Sequence, residues 1–400
     1  MAENTHVVVI GGGYAGVMAA NRLTQRGDVT VTLVNPRPSF VNRVRLHQLV
    51  GGSDDAVVDY RVVLAAGVRL VVDAVTRIDA AGRSLALASG AAVDYDYLVY
   101  AVGSGSADPR VPGAAEFAYP IAGLEEAQRL RPVLDALPAT AAVTVVGAGP
   151  TGIETAAELA EAGRTVALAC GGVLGPYLHA RGRRSVAGRL AGLGVTVLDG
   201  PDTKVTAVTR DAVRLADGRE LPSAVTVWTA GFGVPDLAVR SELSTDALGR
   251  LLTDETLTSV DDVRIVAAGD SAAPSGLPLR MSCLAAIPLG ARAADTVLSR
   301  IAGEQPSPLK QPFGAQCVSL GRGGGIFQFA RNDVAVWFNI NGRSGAKIKE
   351  YVCKGIVKHL AGEAGKPGSY GLHRVSGGSE RQQLLRARHG EVPAAADRTA

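Results

Sequence analysis

Val7-Val8-Val9-Ile10-Gly11-Gly12-Gly13-Tyr14-Ala15-Gly16-Val17-Met18-Ala19-Ala20 is the stretch that decides the fold. An apolar run is followed by a G-x-G-x-x-G turn and a helical pattern, which is the strand, turn and helix of a dinucleotide-binding fold. Gly11 permits the tight turn, Gly13 lets the backbone approach a pyrophosphate, and Gly16 lets the helix pack on the strand. The first helical N–H groups then face the phosphates, where the helix dipole favours negative charge.

The same pattern recurs at Val143-Thr144-Val145-Val146-Gly147-Ala148-Gly149-Pro150-Thr151-Gly152-Ile153-Glu154. One such motif is weak evidence, but two copies in the required context indicate two nucleotide-binding folds. Apolar strands that leave on glycine follow the two copies, at residues 95–104 and 224–231, and a third strand at 263–270 ends in Gly-Asp. The pattern predicts an α/β protein with two Rossmann-like domains.

The composition excludes several classes of protein. A chain of 400 residues with 47% apolar and 20% charged residues is typical of a globular protein of two or three domains. The net charge of +3 is too small for a nucleic-acid binder. The polar start and the lack of a run of about 18 apolar residues predict neither a secretory signal nor a membrane-spanning helix, so we expect a cytoplasmic protein.

The cysteines give no recognisable site. They lie far apart and form no C-x-x-C pair, so we predict neither a zinc site nor a local redox dithiol. Such usage fits a reducing compartment. The four residues are Cys170, Cys283, Cys317 and Cys353.

The order of the segments resembles the flavoproteins with two dinucleotide-binding domains, and within them the type II NADH dehydrogenase-like group of FAD-dependent pyridine nucleotide oxidoreductases. The likeness covers about residues 6 to 360. It implies FAD at the first glycine turn, NAD(P)H at the second, and a hydrogen bond from Asp270 to the ribityl chain of the flavin. Asp270 as a cap of the next helix is the structural alternative.

The resemblance also suggests domain limits. We expect an FAD domain from residues 1–112 and 258–308, an NAD(P)H domain at 113–257, and a small sheet and helix at 309–362. Residues 363–400 are rich in Gly, Arg, Ser, Gln and Ala without a sustained period, which predicts a disordered tail.

Cofactor-binding residues are predicted in both halves. Asn35 stands where an acid usually holds the ribose hydroxyls. One or both of Arg43 and Arg45 are expected to contact FAD phosphate or the substrate cavity, unless they only belong to a solvated face. The positions predicted for FAD are Gly11, Gly13, Tyr14, Ala15, Gly16, Asn35, Arg43, Ala101, Gly103, Gly269, Asp270 and Ser282. Those predicted for NAD(P)H are Gly147, Gly149, Gly152, Arg181 and Gly231.

Two residues are predicted to be catalytic. Similar enzymes carry a glutamate near the nicotinamide and the flavin at the position of Glu154, although its charge could equally stabilise the helix N-terminus. Cys283 aligns beside the flavin at the start of a helix that begins within residues 280–286. A lone cysteine also serves as a small buried hydrophobe, and that alternative stays open.

Three departures from the family pattern matter. Residues 36–60 contain no cysteine, so reduction of glutathione-type or thioredoxin-type disulfides is excluded unless distant thiols meet. The Ala-Gln-x-x-x-Gln motif that meets quinone is replaced by residues 283–288, Cys-Leu-Ala-Ala-Ile-Pro, which weakens the expectation of quinone reduction, although an apolar tunnel could still receive a quinone. Cys170 replaces the acid of NADH binders, and Arg181, Arg183 and Arg184 follow, which favours NADPH or dual use unless these arginines form a solvated helix face.

The C-terminal segment changes pattern to short strands at 315–320, 326–330 and 334–338 and then to a helical stretch at 346–360. Near-helical spacing predicts an apolar side formed by Ile348, Tyr351, Val352, Ile356 and Leu360 and a basic side formed by Lys347, Lys349, Lys354 and Lys358. Such a helix can lie on an anionic membrane surface, on the inner face of the membrane. A core-packing helix or the helix of a homodimer shows the same pattern.

The leading hypothesis is an FAD-dependent NAD(P)H oxidoreductase. By the resemblance, hydride passes from NAD(P)H to flavin N5, and the electrons then pass to a quinone-like or other small acceptor. One alternative is a biosynthetic flavoenzyme that oxidises or reduces a dedicated small molecule. Another is a redox sensor or flavin-bound partner module that uses the basic helix as its contact surface.

Overall fold

The computed structural model describes residues 4–310, 314–331, 334–371 and 379–388. In chain order the helices are α1 (Tyr14–Leu23), α2 (Leu46–Gly51), α3 (Tyr60–Val63), α4 (Ala114–Phe117), α5 (Leu124–Asp135), α6 (Pro150–Glu161), α7 (Ala180–Gly192), α8 (Leu237–Arg240), α9 (Cys283–Ile301), α10 (Gly342–Gly365) and α11 (Ser379–Arg388). Short 3-10 turns lie at Arg43–Arg45, Pro201–Thr203 and Gly269–Ser271.

The strands are short and numerous. In chain order they are β1 (Thr5–Ile10), β2 (Val29–Asn35), β3 (Ser39–Val41), β4 (Val57–Asp59), β5 (Val68–Val72), β6 (Val75–Asp79), β7 (Ser84–Leu87), β8 (Ala92–Asp94), β9 (Tyr97–Tyr100), β10 (Gly105–Ser106), β11 (Ala118–Pro120), β12 (Ala142–Val146), β13 (Thr165–Ala169), β14 (Thr196–Leu198), β15 (Val205–Val208), β16 (Ala212–Leu215), β17 (Glu220–Pro222), β18 (Val225–Trp228), β19 (Phe232–Gly233), β20 (Leu251–Thr253), β21 (Ile265–Ala267), β22 (Ala272–Pro274), β23 (Ala315–Ser319), β24 (Gly325–Arg331) and β25 (Val334–Asn341).

Two parallel sheets form the centre of the molecule. The first has the order β21-β9-β1-β2-β5 and the second the order β11-β18-β12-β13-β14. In each sheet the strand that leads into a glycine turn, β1 or β12, is central. Val7, Val8 and Val9 are fully buried, because helices α1 and α9 cover one face of the strand and strands β6 and β7 with α8 cover the other. The predicted α/β fold class is confirmed, whereas the domain limits stay a prediction.

Helix α9 brings a distant segment onto the first sheet. Gly290 in α9 approaches Ala15 in α1 so closely that a Cβ at position 290 would overlap the Ala15 backbone. Strand β21, which precedes α9, is the edge strand beside β9. Residues 265–301 therefore complete a layer that otherwise comes from the first hundred residues.

The C-terminal segment forms the predicted sheet, in the antiparallel order β23-β24-β25, and then a helix longer than predicted. The buried side of α10 consists of Gly345, Lys349, Cys353, Ile356, Leu360 and Glu363. Ile356 and Leu360 pack in the main core, so the core-packing alternative describes this helix. The predicted division into sides was wrong at Tyr351, which is 78% exposed, and at Lys349, which is buried.

The prediction of a disordered tail from residue 363 was wrong for the residues that the structure describes there. Helix α10 continues to Gly365, and Glu363 has no exposed surface. In α11, Arg381 donates to both carboxylate oxygens of Glu255, at 2.9 and 2.7 Å, and to the carbonyl of Leu277. Composition could not predict these contacts, because each is formed by a single charged side chain, and one side chain hardly changes the average composition of the segment. Residues 372–378 and 389–400 lie outside the described ranges.

A buried network anchors the end of α10. The Arg22 guanidinium lies 3.3 Å from the Glu363 carboxylate and donates to the carbonyl of Tyr370 at 3.1 Å. The backbone N–H groups of Gly368 and Tyr370 donate to Glu363 at 2.7 Å. A buried carboxylate with these donors fixes the chain after α10 against α1.

Replacing Arg22 by Met is expected to lower the free energy of unfolding by about 3 kcal/mol, because Glu363 would keep a buried charge without its cation. Urea denaturation followed by circular dichroism measures the loss. Arg26→Met, which removes a half-exposed pair with Asp28 just after α1, serves as the control and should change little. Equal effects of the two substitutions would contradict the anchoring role.

Candidate active site

The first glycine turn has the geometry that a pyrophosphate requires. Gly11 has φ +100°, a conformation that side chains rarely adopt, and a Cβ at Gly16 would overlap the Gly11 carbonyl oxygen. No atom lies within 4 Å of the position that a Cβ of Gly13 would take. The turn therefore packs tightly against its own strand and is open at Gly13, in front of the first turn of α1.

The second glycine turn repeats this geometry. Gly147 has φ +130°, a Cβ at Gly152 would overlap the Gly147 carbonyl oxygen, and the space around Gly149 is open. Pro150 is the first residue of α6, where its missing N–H is not needed. Both turns thus provide the same open backbone at a helix N-terminus, which is suited to bind phosphate.

Asn35 supports the first turn directly. Its Oδ1 accepts the Gly12 N–H at 2.9 Å, and its Nδ2 donates to the Arg37 carbonyl at 2.9 Å. The hydroxyl of Tyr60 donates to the Gly12 carbonyl at 2.8 Å. The amide therefore fixes the turn, and its predicted contact with ribose stays a prediction.

Asp270 lies where four distant segments converge. It accepts the Ser104 hydroxyl at 2.7 Å and the Ser282 N–H at 3.2 Å. Arg43 donates to Ser104 Oγ at 3.2 Å and to the Ala122 carbonyl at 3.0 Å. Ser282 in turn caps α9, because its hydroxyl oxygen accepts the Ala285 N–H. The structure thus brings together Arg43, Asp270 and Ser282, three of the predicted FAD residues.

The remaining predicted positions surround this cluster or its counterpart in the second fold. Ala15 packs beside Gly269, and the Tyr14 hydroxyl donates to Asn42 at 2.9 Å. Residues just after β9, β18 and β21 lie at the carboxyl edges of the two sheets, where nucleotides bind in such folds. They are Ala101, Gly103, Gly231 and Gly269.

Glu154 forms a buried ion pair that the sequence analysis missed. Its Oε1 lies 2.8 Å from Lys349 Nζ and accepts the Ser319 N–H at 2.9 Å. Burial alone would raise the pKa of Glu154, but the Lys349 ammonium and the hydrogen bonds from Lys349 and Ser319 outweigh it and lower the pKa. The carboxylate likewise holds the pKa of Lys349 well above its usual range in spite of burial. Both groups are therefore charged at neutral pH.

His47 completes the cluster. Its Nδ1 lies 3.6 Å from Glu154 Oε2, and burial lowers the pKa of His47 to about 4, so the ring is neutral at physiological pH. Its Nε2 is buried and has no hydrogen-bond partner among the described residues. The spacing of Lys349, Cys353 and Ile356 could have placed Lys349 on the buried side of α10, but nothing in the local sequence marks His47.

Three of the four thiols lie around the same pair. Burial raises the pKa of the thiols of Cys283, Cys317 and Cys353, to about 12 for Cys283. The positive charge of Lys349 lowers the pKa of each thiol, but by less than burial raises it. Cys283 is thus a protonated thiol at the first residue of α9, which disfavours nucleophilic chemistry. Within the described residues, no group of three or more His, Cys, Asp or Glu side chains could hold a metal ion.

Arg181 lies away from the second glycine turn. Its guanidinium stacks over the ring of Trp337 at 5.5 Å, in a groove between α7 and β25 that Arg184 also lines. Cys170, at the end of β13, is buried, and burial raises the pKa of its thiol to about 12. A contact between Arg181 and a nucleotide phosphate stays a prediction.

Comparison with known proteins decides the family. The sequence profile of the pyridine nucleotide-disulphide oxidoreductases matches residues 5–290. The chain belongs to this family. An NADH dehydrogenase-like protein of Mycobacterium tuberculosis is 35% identical over 353 residues, which are 81% of this chain and 87% of the relative. A type II NADH:quinone oxidoreductase of the same organism is 30% identical over 354 residues, 77% of this chain and 75% of the relative.

Solved structures share the fold of this pyridine nucleotide-disulphide oxidoreductase. The sulfide:quinone oxidoreductase of Aquifex aeolicus superposes with a TM-score of 0.75 at 19% identity, over 97% of this chain and 96% of that one. The NDH2 of Plasmodium falciparum in complex with NADH gives a TM-score of 0.72 at 15% identity, over 93% and 100% of the two chains.

The resemblance, the enzyme class and the cofactors are confirmed: the protein is an FAD-dependent NAD(P)H oxidoreductase of this family. Its structure fits these groups, because the glycine turns leave open backbone at two helix N-termini. Asp270 lies beside the first of them, since the adjacent Gly269 packs against Ala15 in α1. Among the described residues, no helix is both long and apolar enough to cross a membrane.

Replacing Asp270 by Ala is expected to weaken FAD binding about tenfold or more, because a charged acceptor at the convergence of four segments is lost. The ratio of flavin to protein absorbance after gel filtration measures retention, and flavin titration of the apoprotein gives the affinity. Asp217→Ala, in an exposed turn, is the control. Wild-type affinity in the Asp270 variant would remove this residue from the FAD site.

Proposed function

We propose that this oxidoreductase takes two electrons from NAD(P)H at the second glycine turn and passes them to a quinone-like acceptor. We place the acceptor beside the side chains that the start of α9, the buried side of α10 and the first turns of α6 bring together, namely Cys283, Lys349 and Glu154, and call this place the acceptor chamber. The observation that carries the proposal is the buried Lys349–Glu154 pair at 2.8 Å. Bound FAD supplies the two-electron chemistry.

Electrostatic interactions connect the chamber with the first glycine turn. Tyr14, the first residue of α1, belongs to the core cluster against which Cys283 packs, and both Cys283 and Cys353 are within electrostatic range of its hydroxyl. Cys283 in turn interacts with Lys349 and Glu154. A molecule held between Cys283 and Lys349 therefore lies close to the end of the FAD turn and to α6, the helix of the NAD(P)H turn.

The side chains of the chamber suit reduction of a carbonyl oxygen. The Lys349 ammonium can donate a hydrogen bond, and then a proton, to an oxygen that gains negative charge. Glu154 keeps that ammonium charged and oriented. Lys349 also offers a polar donor in a chamber where the family's two glutamines are absent.

The proposal is tested in two half-reactions under anaerobic conditions. NADH and NADPH are mixed in turn with the purified yellow protein, and rapid bleaching of the flavin by either shows a working nicotinamide site. The reduced protein is then mixed with menadione, and the flavin colour should return rapidly. Bleaching without rapid return with any quinone would favour the biosynthetic flavoenzyme, and bleaching by neither donor would favour the sensor.

Lys349→Met should slow reoxidation by menadione at least about tenfold while leaving reduction by NAD(P)H unchanged, because the proton donor beside the acceptor is lost. Stopped-flow absorbance separates the two steps. Lys347→Met changes an exposed residue of the same helix and is the matched control. The same slowing in both variants, or none in Lys349→Met, would contradict the assigned role.

We also propose that the outer side of α10 contacts an anionic membrane surface. Lys347, Tyr351, Lys354 and Lys358 are exposed and spaced by four, three and four residues, so they form one stripe opposite the buried side. Basic side chains bind anionic headgroups, and an exposed tyrosine suits the interface. The acceptor chamber lies behind the same helix. A homodimer stays a prediction.

Charge reversal of Lys347, Lys354 and Lys358 to Glu should weaken binding to vesicles of phosphatidylglycerol and phosphatidylcholine by more than about 100-fold, since the loss of each lysine removes about 1 kcal/mol and each glutamate adds repulsion. Vesicle flotation measures the bound fraction. The same reversal at the exposed Lys204, Lys310 and Lys366 is the charge-matched control. Failure of the unmodified protein to float with these vesicles would refute the membrane contact.

A further inference from the structure

A groove between α7 and β25 carries side chains that the proposed reaction does not use. Its volume is about 600 Å³, and none of the described residues that line it belongs to a glycine turn. One wall is a row on α7 formed by Arg181, Arg184 and Ser185. These residues share one side of the helix, because they are three and four positions apart. The groove is therefore distinct from both glycine turns.

The other wall is a row on β25 formed by Trp337, Asn339 and Asn341. Alternate residues of a strand share a side, so this row extends for about 13 Å along the groove. At one end the Arg181 guanidinium stacks over the Trp337 ring at 5.5 Å. At the other end Asn341 Nδ2 donates to Ser185 Oγ at 3.1 Å. The two rows thus lie side by side, with a basic end and an amide end.

The basic end of the groove lacks a counter-charge. Within the described residues, neither Arg181 nor Arg184 forms an ion pair with a carboxylate. Arg189, further along the same helix, is paired with Glu161 at 3.1 Å. Two guanidiniums one helical turn apart repel each other, whereas a phosphate group between them accepts hydrogen bonds from both. Because Trp337 contacts only the face of its guanidinium, Arg181 keeps in-plane N–H groups for such an anion.

The amide end of the groove suits a planar polar group. Asn339 and Asn341 each carry a donor and an acceptor, and an asparagine amide matches the donor and acceptor on the edge of adenine. Phe338 also lines the groove, is 48% exposed and lies edge-on to Trp337 at 5.8 Å. Exposed aromatic rings provide a surface on which a base can stack. Such a patch of large exposed rings is typical of a binding surface.

We propose that this groove binds a purine nucleoside monophosphate. The phosphate lies between the guanidiniums of Arg181 and Arg184, and the base lies on the aromatic surface of Phe338 with its polar edge at Asn339. The row of about 13 Å leaves room for phosphate, ribose and base in that order. The site is separate from the two redox cofactors, and it does not depend on the nature of the electron acceptor.

Binding of AMP to the FAD-loaded protein is measured by tryptophan fluorescence. The chain has two tryptophans, and Trp228→Phe removes the buried one, so that Trp337 alone reports on the groove. AMP should bind at least about tenfold more tightly than adenosine or ribose 5-phosphate, because each of these lacks one of the two recognised ends. Equilibrium dialysis against labelled AMP checks the affinity in the unsubstituted protein. No binding at about 1 mM AMP, or equal binding of AMP and ribose 5-phosphate, would overturn the proposal.

Substitutions separate the two ends of the groove. Arg184→Met should weaken AMP binding at least about tenfold, because a charge-assisted hydrogen bond to phosphate is lost. Asn339→Leu should weaken binding of AMP while leaving that of ribose 5-phosphate unchanged. Arg183→Met removes the same charge from the same turn of α7 but not from the groove, and is the matched control. Equal weakening by Arg183→Met and Arg184→Met would show a response to the net charge alone and would overturn the site.

Competition distinguishes the groove from the NAD(P)H site. AMP at a concentration that saturates the Trp337 signal should leave anaerobic bleaching of the flavin by NADH and NADPH unchanged. Competition that Arg184→Met abolishes would place the adenosine end of NAD(P)H in the groove and overturn a separate site. Self-association that Trp337→Ser removes, without binding of AMP, would assign the groove to a second copy of the chain. A flavin that neither donor bleaches refutes the proposed function and leaves AMP binding to be judged by fluorescence and dialysis.

Discussion

The contact between Lys349 and Glu154 is the constraint on which the arrangement of the chain depends. The two residues lie almost two hundred positions apart, on the last long helix and on the helix of the second glycine turn. Each would be an uncompensated buried charge without the other, so any displacement of α10 from α6 is opposed. The Ser319 N–H binds the same carboxylate oxygen and adds β23 to the contact.

This contact also changes the chemical character of the chamber. Related enzymes are expected to present two glutamine amides at the start of α9, whereas this chain presents a thiol there and supplies an ammonium from the opposite side. An amide can orient an acceptor but cannot release a proton at neutral pH, whereas an ammonium held by a carboxylate can do both. Three protonated thiols add volume and polarisability around it.

The sequence was informative where structure is local. A glycine turn between a strand and a helix depends on neighbours within about fifteen residues, so Gly11, Gly16, Gly147 and Gly152 could be assigned from pattern alone. Asp270 and Ser282 needed the resemblance to a family, because their partners Ser104 and Arg43 are distant in the chain. Lys349 was predicted on the polar side of its helix because a periodicity argument assigns lysines to the solvent-exposed side and cannot recognise a lysine that is buried in an ion pair. Its partner on α6 is visible only in three dimensions, and the same holds for Arg381 and Glu255 in the tail.

The split of the first sheet also sets an order for assembly during synthesis. Strands β1, β2, β5 and β9 leave the ribosome early, but the edge strand β21 and the covering helix α9 follow only after the whole second fold has been made. The second sheet takes its strands from residues 118–228 and can close first. At about 5–20 residues per second, the first fold waits roughly 10 to 40 seconds with its apolar edge uncovered. The second fold, and not the N-terminal one, is therefore the first sheet that the nascent chain can complete.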